Sequence, residues 1–180
     1  MRKLINFVLF QLGWFACILG AAYGYVTAAV FFCMAVTAFH LWQSPARVQE
    51  ASLLLKIGLL GVCADTLLLQ TGSLVFESKG LLPSFSPIWM VSLWIILGCT
   101  LNVSMSWLRG RYALAAVLGA ITGPLSYLAG VKLGAATWGN ETQALVLIAI
   151  IWATAMPLLF WWAAKVPQNQ VPSSANQATK

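Results

Sequence analysis

The chain has 180 residues, of which 61% are apolar and 8% charged, with a formal net charge of +6; ordinary soluble domains carry roughly 45–50% apolar and about 25% charged residues. That composition excludes a water-soluble domain and defines an integral membrane protein. The basic excess does not indicate a nucleic-acid partner, because the Lys and Arg residues form no single run and sit at the ends of apolar segments.

Six apolar runs follow one another, each close to the ~20 residues needed to cross ~30 Å of hydrocarbon: Leu4–Ala22, Gly24–Trp42, Ser52–Gly72, Ile88–Leu108, Tyr112–Gly134 and Gln143–Ala164. Long continuous runs without period-two alternation mean helices rather than a barrel. The expected fold is therefore an all-α, polytopic transmembrane bundle of six helices occupying residues 1–165, followed by a disordered tail over 166–180. "MRK" and "GAAYG" also outline a secretory signal, but Gln11, Gly13 and Trp14 interrupt its apolar region, and keeping the segment makes the helix count even. Helices 1 and 2 are joined around Tyr23, and helices 4 and 5 by "RGRY" (Arg109–Tyr112), so both pairs are expected to be tight hairpins. The longest connection is "FESKGLLPSFSP" (Phe76–Pro87), where Gly80, Pro83 and Pro87 end one helix and delay the next.

On a six-helix plot Arg2, Lys3, Arg47, Lys56, Arg109, Arg111, Lys165 and Lys180 fall on one side, leaving Lys79 and Lys132 towards the other. The positive-inside rule then places both termini in the cytoplasm. Trp42, Trp89, Trp107, Trp138, Trp161 and Trp162 lie near span ends, as an interfacial aromatic belt would. "YVTAAV" (Tyr25–Val30) and "YALAAV" (Tyr112–Val117) open helices 2 and 5, an echo that would make the two halves inverted repeats of three helices each.

Within the spans, polar residues are few and their faces can be read at about 100° per residue. Asp65 shares a face of helix 3 with Gly58, Gly61 and Gly72. Such small-residue seams admit a neighbouring helix, so Asp65 belongs inside the bundle; a charged Asp at the centre of a span costs at least ~2.5–3.5 kcal/mol and must be paired, wet or protonated. Helix 5 carries the longest seam, Gly119, Gly123, Ser126 and Gly130, with Pro124 freeing a carbonyl near Ala120. This seam is the expected packing partner of the Asp65 face. Lys132 is the candidate counter-ion, although it projects away from the seam and snorkelling is the alternative. Towards the cytoplasmic side, Gln11, His40, Lys56, Asn102 and Ser106 lie at similar depth and outline either a cavity or ordinary interhelical hydrogen bonds.

No nucleophile elbow, paired metal-binding histidines, Walker loop or dinucleotide fingerprint occurs. Of the four acidic residues, Glu50, Asp65, Glu77 and Glu141, only Asp65 is central to a span, which leaves a two-carboxylate mechanism unsupported. Cys17, Cys33, Cys63 and Cys99 lie inside spans without metal-ligand spacing. No catalytic residue, metal or cofactor is expected.

Three stretches, "NFVLFQLGWFACILGA", "ADTLLLQTGSLVF" with the following "PIWMVSLWIILGCTLNVSMSWL", and "GAITGPLSYLAGVKLGA", resemble a family of small bacterial inner-membrane proteins of unknown function. The matching residues are Gln11, Gly13, Trp14, Asp65, Gly72, Trp89, Trp94, Ser106, Trp107, Gly123, Pro124, Tyr127, Gly130 and Gly134. The resemblance implies a Gram-negative inner membrane and no defined activity. It also implies an association with lipid-modifying enzymes resembling cyclopropane-fatty-acyl synthases, amine-oxidase-like flavoproteins and short-chain reductases. Three functions follow as expectations: a component handling membrane lipids or another amphiphile, a small transporter with a midplane site at Asp65, and a scaffold for partner enzymes. Small-residue faces serve intramolecular packing and homo-oligomers alike.

Overall fold

A computed structural model describes residues 1–78 and 84–167. It contains six α-helices: α1 (Arg2–Tyr23), α2 (Val26–Gln43), α3 (Arg47–Gln70), α4 (Ile88–Leu101), α5 (Tyr112–Lys132) and α6 (Glu141–Ala163). All but α4 are long and apolar enough to span a membrane. The protein is an all-α multi-pass bundle with one small addition, a two-stranded antiparallel ribbon of β1 (Leu74–Phe76) and β2 (Ala136–Trp138). The ribbon escapes a reading by apolar runs because each strand is three residues long.

The helices alternate in direction, so one end of the bundle carries the ribbon and the other gathers Arg2, Lys3, Arg47, Arg109, Arg111 and Lys165. Val166, expected in the tail, is buried in the core, while residues 168–180 lie outside the described residues, as do 79–83 of the long connection.

Helix α4 is the centre, packed by α1, α2, α3 and α6. Most of its residues are buried, including Trp89, Trp94, Ile96 and Leu101. Small residues allow this closeness: Gly13 of α1 faces Ile96, Gly98 of α4 faces Leu54 and Ile57, and Gly58 of α3 faces Ile95. Trp89 therefore belongs to the core, edge-on to Phe76 at 5.6 Å, and not to an interfacial belt. Trp42, Trp107 and Trp161 are exposed.

Helix α4 ends at Leu101, short of the expected Leu108, and the chain continues through turns and a 3₁₀ segment, Ser106–Leu108. A helix stopping inside a bundle leaves carbonyls without partners. Asn6 of α1 supplies one: its amide donates to Cys99 O at 3.0 Å, while its Oδ1 accepts from the Ser104 hydroxyl at 2.7 Å and the Ser104 N–H at 3.3 Å. One asparagine thus ties the unwound end of α4 to α1.

The ribbon joins two units of the same element order. Val75 and Thr137 face each other in register, and the flanking bonds are reciprocal: Glu77 N–H donates to Ala135 O at 3.2 Å and Gly139 N–H to Ser73 O at 3.0 Å. Gly72 and Gly134 both turn the chain out of the preceding helix with φ of 67° and 86°, a conformation that favours glycine. The units α3–β1–α4 and α5–β2–α6 share one element order, and both run in the same sense. The same sequence interval separates Gly61 from Gly123, Asp65 from Tyr127 and Gly72 from Gly134. The alanine-rich echo between helices 2 and 5 is not this relation.

In each unit a glycine admits an indole from the next helix, Gly61 that of Trp94 and Gly123 that of Trp152, and the two indoles stack at 4.7 Å with an 18° tilt. The two glycine seams consequently do not meet, because each is filled by the next helix of its own hairpin. Gly119 packs on the Trp152 backbone and Met156, and Gly130 on Ile18 of α1. Helix α5 passes through Pro124 without interruption.

Gly61→Ala and Gly123→Ala drive a methyl into an indole, and each is expected to lower stability by about 1–3 kcal/mol. Gly58→Ala meets nothing nearer than Ile95 Cγ1 at 3.4 Å and should be neutral or slightly stabilising. Thermal unfolding of the three variants in one detergent checks the contrast.

Candidate functional site

The first polar centre is Asp65, fully buried at 0% exposure. An unbonded carboxyl group there would cost several kcal/mol, and two donors meet it. Trp94 Nε1–H donates to Oδ2 at 2.9 Å, and the Tyr127 hydroxyl donates to Oδ1. The first comes from α4, next along the chain; the second comes from α5, which otherwise packs along α6. Asp65 and Tyr127 stand on the first helices of the two units, separated by the same interval as Gly61 and Gly123, and there one unit supplies the acceptor and the other a donor. Lys132, the expected counter-ion, is exposed at the end of α5. Asp65 lies five residues from the ribbon end of α3, about 8 Å at 1.5 Å per residue, and so is nearer that surface than a midplane site.

Trp94, Tyr127 and Trp152 also form one wall of a cavity of about 600 Å³. The opposite wall comes from α1, through Phe7, Phe10, Gln11 and Trp14. Helix α5 meets α1 near the ribbon, where Ile18 packs on Gly130, and towards the basic end the cavity fills the space between them. Phe7, Trp107 and Leu125, at its rim, are about half exposed, at 50%, 50% and 56%. In a bilayer this rim faces hydrocarbon, so the cavity is a lateral groove. Its hydroxyls are already used: Thr100, Thr122 and Ser126 donate to Leu97, Leu118 and Gly123 carbonyls at 2.6, 2.8 and 2.8 Å. The Gln11 amide and the Trp152 indole N–H, which is buried without a partner, remain among the lining groups.

The second polar centre lies at the basic end. Glu50 of α3, 4% exposed, receives Asn102 Nδ2–H on Oε1 at 3.1 Å and faces His40 Nε2 across 3.4 Å with Oε2. Arg109 donates to Asn102 Oδ1 and to Ala163 O at 3.3 Å, covering an orphan carbonyl at the end of α6. This chain joins α2, α3, the end of α4 and α6. Ser106 donates to Val103 O at 2.9 Å and lines the cavity beside the chain.

The expected cytoplasmic group is thus divided: His40, Asn102 and Ser106 come together, Gln11 turns into the groove, and Lys56 is exposed. Glu50 was missed because it precedes the apolar part of helix 3. Trp94 and Tyr127 carried the family resemblance, yet nothing in their spacing marks them as partners of Asp65. Among the described residues, no group of three or more His, Cys, Asp or Glu is placed to hold a metal ion.

These features define a multi-pass membrane protein in which two helical hairpins meet over one buried carboxyl group beside a lateral groove. The chain belongs to the DUF2878 family of proteins of unknown function, whose model matches residues 3–158. No curated protein matches it. No solved structure does either.

A double-mutant cycle tests the Asp65 clamp. Asp65→Ala and Tyr127→Phe should show a coupling energy of about 0.5–3 kcal/mol, whereas Asp65→Ala with Lys132→Gln should be additive. Chemical unfolding in micelles supplies the four stabilities of each cycle.

Proposed function

We propose that this protein binds a single long apolar chain, borne by a membrane lipid or a related amphiphile, in the groove between α1 and α5. The carrying observation is a cavity of about 600 Å³, within the ~300–1,000 Å³ of small-molecule sites, that opens sideways and is lined mainly by aromatic and aliphatic side chains. An acyl chain enters such a groove from the bilayer without crossing water, and Gln11 is placed to bond a polar group of the occupant. The Trp94–Trp152 stack, held by the Asp65 clamp, makes the inner wall rigid. A bacterial inner membrane, with the basic end in the cytoplasm, is the setting this reading takes from the charge asymmetry and the family resemblance. Lipid-modifying enzymes are the partners it would serve.

One observation favours transport as a second reading: parallel duplicated helix units recur in transporters. Under that reading the groove is an entry and Asp65→Asn abolishes uptake while the protein stays folded.

Native mass spectrometry of the delipidated protein with a lysophospholipid tests the groove. Leu125→Trp, at the rim, should reduce binding about tenfold or more, equivalent to ~1.4 kcal/mol, while Ile121→Trp, exposed on the same helix outside the groove, should bind like the unmodified chain. Equal binding by all three removes the groove from the function.

A further inference from the structure

The basic end holds a separate cavity of about 650 Å³ whose lining includes Arg2, Lys3, Arg47, His40, Glu50 and Asn102. Glu50 is the one acidic residue at this end among those described, and both its oxygens are turned to His40 and Asn102. The ion pairs among the described residues are confined to His40–Glu50, so Arg2, Lys3 and Arg47 present charge that no carboxylate offsets. Arg47 is steered by a bond from its guanidinium to Trp42 O at 3.0 Å. Helices α1 and α3 begin here, at Arg2 and Arg47, without side-chain caps, which adds two positive helix ends to the three cations.

From this basin a crevice of about 240 Å³ runs between α1 and α2. Basin and crevice share Arg2, His40, Gln43 and Val103, and the crevice continues along Ile5, Leu9, Val36 and Phe39. Cations above and an apolar slot below form one continuous shape. This slot lies on the other side of α1 from the lateral groove, so it stands independently of the reading above.

We propose that the basin and crevice form a binding site for an anionic phospholipid, with the phosphate held by Arg2, Lys3 and Arg47 and an acyl chain in the α1–α2 crevice. Arginine and lysine donors suit phosphate oxygens, and the His40–Glu50–Asn102–Arg109 chain fixes the floor on which they are displayed. A free phosphate would satisfy the basin but leave the crevice without an occupant.

The test uses the full-length protein in phosphatidylcholine nanodiscs containing fluorescent phosphatidylglycerol. Saturable binding is expected, reduced about fivefold by Lys3→Gln and by Arg47→Gln, the size of one lost surface cation. Arg111→Gln removes a charge from the same end outside the basin and should leave binding unchanged. Ile5→Trp, at a half-exposed crevice position, should lower it as well. Equal losses in Lys3→Gln, Arg47→Gln and Arg111→Gln would reduce the basin to a general surface potential and overturn the site. Binding of inorganic phosphate as tight as that of the lipid, or an undiminished Ile5→Trp variant, would overturn the lipid assignment.

Discussion

A carboxyl group shut away from both water and lipid must be given hydrogen-bond donors, and the arrangement of this bundle follows from how Asp65 obtains them. Trp94 reaches it only because Gly61 has no side chain, and Tyr127 reaches it only because α5 is held across from α3. With no hydrophobic force between helices in hydrocarbon, packing and polar contacts have to hold the hairpins together. The clamp supplies the polar part, and the stacked indoles of Trp94 and Trp152 supply the packing part.

The two units that bring the indoles together supply different groups to the clamp. Two Asp residues facing each other would repel or share a proton, and two Tyr residues would replace the charge-bearing acceptor by hydroxyl oxygens, which accept more weakly. Asp65 on one unit and Tyr127 on the other give one acceptor group and one hydroxyl donor. The ribbon between β1 and β2 closes the top of both units with reciprocal bonds, so the clamp sits below a cross-brace.

At the other end the problem is helix termini rather than a buried acid. Helix α4 stops at Leu101, and α6 ends nearby; their free carbonyls are met by Asn6 and Arg109. Satisfying them draws Asn102, Glu50 and His40 into one chain. The two polar centres hold the central helix at its middle, through Trp94, and at its end, through Asn102. Peripheral α5, packed mainly on α6, leaves the space beside α1 that becomes the groove.

Composition and run length alone determined the membrane class, the six helices and the gathering of basic residues at one end, because each depends on local hydrophobicity or on charges at span ends. The burial of Asp65 was equally legible, since it follows from helical spacing with Gly58 and Gly61. Only the tertiary structure decided what Asp65 bonds to: glycine faces show where a neighbour comes close but carry no label for which neighbour. The helix 5 seam is the expected partner of the Asp65 face, yet Gly61 and Gly123 each hold an indole from the following helix. The early end of α4 and the ribbon were likewise beyond the sequence, because an apolar run continues through Val103 and Met105 whether or not the backbone remains helical. Asn6, Glu50 and Arg109 took their roles from carbonyls and carboxylates that distant segments bring within hydrogen-bond reach, and the separation along the chain between Glu50 and Asn102, or Arg109 and Ala163, leaves no periodic trace.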